Sequence, residues 1–261
     1  MKFLTTCGLA LALMTGSAAA NENAMKELAP TGKLRVALVF APSKSLFFNV
    51  KDGERAVGIT ADIAAALGQK LGLAVEQVVF PNSGLAVDAL EAGKVDVSFM
   101  PIDEDRKKRI AFGSDYVIAE STYMVTAASG AKTAQDVDKA GMRVIGIAGT
   151  ATIRLVTRTL KNTTISPVTS VDDAVAAMRD GKADAFALGR DSLPPYLAQV
   201  PGSRMTEGAF HYLPIAIAVA KEKPASLAAV TDFMNTAKKD GTLRRILDKH
   251  GFADPVAPLT Q

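Results

Sequence analysis

The residues most able to do chemistry in this chain are charged and hydroxyl side chains at a few turns. Arg106 opens the run Arg106-Lys107-Lys108-Arg109. A guanidinium offers paired donors that match a carboxylate bidentately, which an ammonium cannot do, although such a run also describes a solvated face. Gly149-Thr150-Ala151-Thr152 follows one apolar run and opens a helical pattern. Free amides and hydroxyls there suit an anion, and N-capping alone would also explain a threonine. Phe47 and Phe48 follow the first apolar run, and aromatic residues serve either core or pocket. In Gly189-Arg190-Asp191 the glycine eases a strand-to-helix turn, while Arg190 and Asp191 bring one charge of each sign to the same place.

Other chemistries find little support. The chain has two histidines and one cysteine, too few for a soft-metal site. It carries no Gly-x-Ser-x-Gly elbow and no phosphate loop.

The elements that must position these residues alternate in type. Leu34 to Phe40 reads as a strand, Ile59, Ile63, Leu67 and Leu71 recur at helical spacing, and Val75 to Phe80 is a second strand. Leu85 to Ala92 reads as a helix and Val95 to Met100 as a third strand. The pattern then restarts: strand Arg143 to Ala148, helix Thr150 to Leu160, strand Thr164 to Val168, helix Val171 to Arg179, strand Ala183 to Leu188. Alternation of this kind favours parallel sheets covered by helices. Ala92-Gly93-Lys94-Val95-Asp96-Val97 is echoed by Asp180-Gly181-Lys182-Ala183-Asp184-Ala185. In each, a helix stops at a glycine suited to a left-handed cap before a buried strand.

Two α/β lobes are therefore expected. Val117 to Thr126 and His211 to Ala220, long apolar runs at the joins, read as strands crossing between them, and Pro224 to Gly251 as a return to the first lobe. Tyr116 reads as part of the hinge. Two crossings make a hinge over a cleft, and open α/β sheets place ligands beyond the carboxyl ends of their strands. One continuous α/β domain with long edge strands is the alternative.

The N-terminus reads as an export signal. Lys2, an apolar stretch from Leu4 to Met14 and Ala18-Ala19-Ala20 have the pattern of a signal peptide cleaved before Asn21. The apolar stretch is shorter than the roughly 20 residues of a membrane span. Removing 20 of the 261 residues leaves 241 without cysteine, opening on a polar leader from Asn21 to Thr31, and brings the net charge from +3 to +2. That balance lacks the dense basic character of a nucleic-acid binder. Burial alone, without disulfides, must stabilise such a chain.

In this order, Gly32-Lys33-Leu34-Arg35-Val36, Val57-Gly58-Ile59-Thr60-Ala61-Asp62-Ile63, Ala89-Leu90-Glu91-Ala92-Gly93-Lys94-Val95-Asp96-Val97 and Arg106 six residues before Phe112 resemble the signatures of the family 3 solute-binding proteins, receptors of polar amino-acid ABC importers. The resemblance implies no cofactor and a two-lobed type II periplasmic binding fold (Venus flytrap), two parallel-type sheets flanked by helices with a double-crossing hinge. The implied lobes are 21–120 with 213–261, and 121–212, after a signal peptide at 1–20. It implies a carboxylate grip at Arg106, ligand contacts from the Thr150–Thr152 turn, and an aromatic contact from Phe47 or Phe48. Asp62 and Asp96 match as framework residues. Between Asp96 and Arg106 the chain is about two residues shorter than the family pattern, and Met100-Pro101-Ile102 stands where hydroxyl residues often line the pocket.

The resemblance further implies a monomeric periplasmic receptor, not an enzyme, that hands a small carboxylate-bearing solute to an inner-membrane ABC permease. Receptors of this kind commonly hold an α-ammonium with an aspartate five residues after the Asp of the second lobe's Gly-x-x-Asp-Ala strand. Here that strand carries Asp184, and the fifth residue on is Gly189. The expectation is an organic acid or other anion without the ammonium, unless Asp191 replaces the missing carboxylate. The competing enzyme reading is a periplasmic cyclohexadienyl dehydratase-like lyase, with Asp191 or Glu120 as its acid. A sensory domain working through protein contacts is the third class.

Overall fold

The computed structural model describes residues 22–253 and 255–259. The Ala18–Ala20 cleavage pattern lies outside them.

A helix α1 (22–28) leads into β1 (Leu34–Val39), the hairpin β2 (Val50–Asp52) and β3 (Arg55–Val57), α2 (Ile59–Leu71), β4 (Val75–Phe80), α3 (Ser83–Glu91), β5 (Val97–Pro101) and the single turn α4 (Glu104–Lys107). The long β6 (Ile110–Val125) carries the chain onward to β7 (Arg143–Ile147), α5 (Ala151–Thr159), β8 (Thr164–Val168), α6 (Val171–Arg179), β9 (Ala185–Gly189) and the short α7 (Pro194–Leu197). After β10 (Arg204–Met205), β11 (His211–Ala220) brings it back to α8 (Pro224–Lys239) and α9 (Thr242–Lys249).

The sequence echo has a structural cause. Gly93 and Gly181 both take left-handed backbone, φ 67° and 68°, which costs a residue without Cβ little. The Asp three residues on then clasps an arginine of the neighbouring parallel strand. Asp96 accepts from the backbone N–H of Arg35 at 2.9 Å and from its guanidinium at 3.0 and 2.7 Å. Asp184 does the same with Arg143 at 2.9, 2.9 and 2.7 Å. One device thus starts the central strand of each unit.

The two parallel groups, β4-β1-β5 and β9-β7-β8, are halves of one nine-stranded sheet in the order β4-β1-β5-β11-β6-β9-β7-β8, with β10 on β6. β11 and β6 pair antiparallel from His211↔Ser121 to Ala220↔Ile110. β11 pairs β5 on one side, and the far end of β6, Ser121 to Val125, pairs β9 on the other. The two long strands are therefore central, which rules out the edge-strand alternative.

The C-terminal helices pack on the first unit: Val230, Phe233, Met234, Leu243 and Leu247 share a core with Leu34, Ile59, Ile63 and Tyr116. Burying one such side chain contributes about 1.5–3 kcal/mol. A separate core around Tyr123, Val144, Val156 and Ala187 holds the second unit.

Two expectations need correction. The stretch from Asn21 to Thr31 is not a bare polar leader. Leu28 is fully buried, and Glu27 accepts from the Ser226 N–H at 2.7 Å, satisfying a free donor in the first turn of α8. The first crossing strand begins at Ile110, seven residues before Val117. Tyr116 sits inside it, fully buried, its hydroxyl donating to the Leu46 carbonyl at 2.9 Å.

Candidate functional site

A cavity of about 50 Å³ lies where β5, β11, β6 and β9 meet the loops at their ends. Its floor is set by register. Ala119 pairs with Leu213, Pro101 with Ile215, and Ser121 with Gly189, and alternate residues of a strand share a face. Above this floor stand Phe47 and Phe48 from the loop after β1, Ser83 from the start of α3, Thr150 to Thr152 from the start of α5, and Asp191 and Ser192 after β9.

The aromatic wall is built locally. Ser45 Oγ accepts from the N–H groups of Phe47 and Phe48 at 3.1 and 2.9 Å. This turn brings the two rings to 5.1 Å between centroids. Both rings also pack into hydrophobic core, so core and pocket roles coincide.

Arg106 stands behind the wall. It is buried, 2% exposed, and lies beside the cavity rather than on its surface. Nη1 donates to the Pro101 carbonyl at 2.9 Å, and Nη2 to Ser83 Oγ at 2.6 Å and to the Gly149 carbonyl at 3.3 Å. Pro101 and Ser83 are themselves wall residues. Nε lies 3.4 Å from Asp103 Oδ2, an ion-pair distance without hydrogen-bond geometry. Burial pushes the guanidinium's pKa below the usual arginine value; Asp103 opposes this, while Arg154 and Arg109 reinforce it. A desolvated cation with one shared carboxylate beside it favours a further anion. Arg109, the other arginine of the run, is 41% exposed and pairs with Asp88 and Glu91.

Thr150 is an N-cap, as its position suggests. Its hydroxyl accepts from the Ile153 N–H at 3.3 Å and donates to the Ile147 carbonyl at 2.8 Å. Thr152 is buried in the same turn. Gly149 has φ +69°, and a Cβ placed on it would come within 2.9 Å of the Gly84 Cα, so the starts of α3 and α5 meet backbone to backbone.

Asp191 folds back over Gly189. A Cβ on Gly189 would lie 2.7 Å from Asp191 Oδ1, so the Asp191 carboxylate occupies the space where a side chain at 189 would project. Its Oδ2 accepts from the Leu46 N–H at 2.7 Å. Arg190 turns the other way. It pairs with Glu120 at 2.7 Å and donates to the Gly208 carbonyl at 2.5 Å, on an outer groove beside Ile118 and Tyr212. The structure thus brings Phe47, Phe48, Thr150, Thr152 and Asp191 onto one cavity, sets Arg106 directly behind it, and places Arg190 outside.

Polar links join the two units across the cavity's rim. Arg154 and Arg158 on α5 pair with Asp103 and Asp105 at the start of α4. Ser43 Oγ meets the Tyr196 hydroxyl at 3.0 Å, and the Asn82 amide donates to the Thr169 carbonyl at 3.3 Å.

Ser83, Ser121, Ser192, Leu213 and Ile215 were not foreseen. Leu213 and Ile215 carried a signal, their i, i+2 spacing on a crossing strand. Ser83 had only Asn82 before it, which does cap α3 by accepting from the Leu85 N–H at 3.0 Å. A larger surface hollow of about 680 Å³ lies by Asn23, Lys70 and Phe233. It is away from the strand ends and gathers none of these groups, so the strand-end cavity is the candidate site. Among the described residues no cluster of ligands suits a metal ion, and no helix is long and apolar enough to cross a membrane.

Comparison with known proteins agrees with this geometry. The fold and the cavity at the paired crossing strands define a two-lobed, type II periplasmic binding protein. Residues 39–253 match the model of the bacterial extracellular solute-binding proteins, family 3, and the chain belongs to that family. A glutamine-binding protein of Geobacillus stearothermophilus is 24% identical over 212 residues, 78% of each chain. A crystal structure of a mutant of ArgBP from T. maritima superposes with a TM-score of 0.75 at 27% identity, covering 87% of this chain and 98% of the other. The ancestral amino acid-binding protein AncCDT-1, a precursor of cyclohexadienyl dehydratase, has a TM-score of 0.73 at 27% identity, covering 86% and 98%.

Proposed function

We propose that the chain is an exported periplasmic receptor that captures a small carboxylate-bearing solute and delivers it to an inner-membrane ABC permease. Cleavage follows Ala20. Residues 21–120 and 213–261 form one lobe and 121–212 the other, and they close as a monomer about the crossings near Ala119 to Tyr123 and Tyr212 to Ile215. The observation that carries the reading is Arg106: a buried cation, one residue deep behind Ser83, whose third hydrogen bond goes to the opposite unit at Gly149. As the lobes part, Nη2 loses that partner and turns its donor toward an incoming carboxylate. The Thr150–Thr152 turn then meets the same anion from the other side, so that the ligand favours closure.

We further infer an organic acid without an α-ammonium. Among the described residues Asp191 is the only carboxylate on the cavity wall, and its Oδ2 already accepts the Leu46 N–H. A buried ammonium left without an anion would be costly. An amino acid is the second reading, favoured by the position of Asp191 over Gly189 and by the binding-protein names of the relatives. The lyase reading is weaker. Glu120 pairs with Arg190 outside the cavity, and Asp191 is engaged by the backbone.

Mass spectrometry of the small molecule released from periplasmic protein by mild denaturation tests this. A nitrogen-free acid is expected. An amino acid would transfer the ammonium to Asp191, and conversion of prephenate or arogenate would revive the lyase.

A further inference from the structure

The cavity floor is hydrocarbon. Leu213 and Ile215 project from β11, Leu188 from the end of β9, and Ala119 lies opposite Leu213 on β6. Each is at most 9% exposed. The hydroxyls and the one carboxylate of the wall lie at the helix starts and after β9, not on the central strands, apart from Ser121. A ligand whose carboxylate faces the Ser83 and Thr150 end therefore lays its other end on these strands.

We propose that this floor selects the ligand's tail, and that the site takes a monocarboxylate bearing a short hydrocarbon chain and excludes tails that end in an amide, a guanidinium or a second carboxylate. The inference rests on the carboxylate-binding reading above and adds the tail to it. Two features carry it. A polar tail buried against Leu213, Ile215 and Leu188 finds only the Ser121 hydroxyl on the central strands to replace its lost water, and under-paired buried polar groups are strongly disfavoured. The cavity is also small: about 50 Å³ is only a few times the 10–15 Å³ that one water requires. Leu213 and Ile215 lie on the strand that crosses between the lobes, so the tail packs against the hinge itself.

The test is a calorimetric panel on the purified chain in which head group and tail vary independently. It compares 2-oxobutanoate and 3-methyl-2-oxobutanoate with 2-oxoglutarate, and valine with glutamine and arginine. Within either head class the hydrocarbon tail should bind at least about 100-fold more tightly than the polar one, the discrimination typical of a pocket fitted to one side chain. Leu213→Asn should narrow that gap by about tenfold or more. Ile215→Thr gives the same reading should the first variant fold poorly. Equal or tighter binding of the polar-tailed ligands would overturn this inference while leaving the carboxylate reading intact. Binding of none of the six would remove the carboxylate reading and this inference with it.

Discussion

Replacing Arg106 by alanine should weaken ligand binding far more than replacing Arg109 by alanine. The two arginines sit three residues apart in one charge run, and the structure separates them completely. Arg106 is 2% exposed, donates to Pro101, Ser83 and Gly149, and has its pKa lowered by burial. Arg109 is 41% exposed, with its charge already met by Asp88 and Glu91. Removing one side of a buried charge pair costs about 2–5 kcal/mol, whereas an exposed pair is worth at most about 1 kcal/mol. Those figures correspond to an affinity loss of roughly 30- to 4,000-fold for Arg106→Ala and less than about fivefold for Arg109→Ala. Arg106→Lys should fall between, since an ammonium keeps the charge and loses the paired donors. Isothermal calorimetry with the ligand identified from the native protein measures all three, with circular dichroism to establish that each variant folds. Equal affinities for Arg106→Ala and Arg109→Ala would show that the buried guanidinium serves the fold alone.

Three further outcomes are expected. Asp103→Asn keeps the cap on α4 but removes the charge that Arg154 meets across the rim; small-angle scattering should show a larger radius of gyration, with closure weakened by about 1 kcal/mol, roughly fivefold, and an unchanged radius at low and high salt would refute a role in closure. Arg143 holds the Asp184 carboxyl below the usual carboxylate range, so its contribution to stability is present above about pH 3.9 and is lost as pH falls through the lowered folded value. Asp184→Asn should therefore lower the melting temperature at pH 7 and flatten the acid limb of the stability profile, and an unaltered limb would contradict it. Intact mass of periplasmic protein should begin at Asn21; material retaining Met1 would contradict export by cleavage.

How much could be read beforehand depended on how local the cause was. Strand and helix positions followed apolar spacing and the Gly93 and Gly181 caps, which act within a few residues, so β4, β8, α6 and β11 fall where the spacing predicts. The paired aspartates were visible as an echo, but their partners Arg35 and Arg143 lie 61 and 41 residues away, and nothing local links them. Helix α1 was missed for the same reason: what orders it is Leu28 in the core and Glu27 on the first turn of α8. At the site, the charge run pointed to Arg106 without telling it from Arg109, because burial is a tertiary property. Gly189 and Asp191 showed as a missing and a displaced carboxylate. Only the fold-back of residue 191 over residue 189 puts the one in the other's space, and Arg190 is turned outward by the same bend.

What sets this cavity apart is a carboxylate site proposed to work without an accompanying ammonium. Thermal-shift titration of matched pairs, each amino acid against its 2-oxo and 2-hydroxy acid, tests it most directly. A true ligand at a hundred times its dissociation constant stabilises the fold by about 2.7 kcal/mol. That shift is expected for the deaminated acids and none for the amino acids, whereas stabilisation by the amino acids alone would refute a site without an ammonium partner and assign Asp191 to the ammonium.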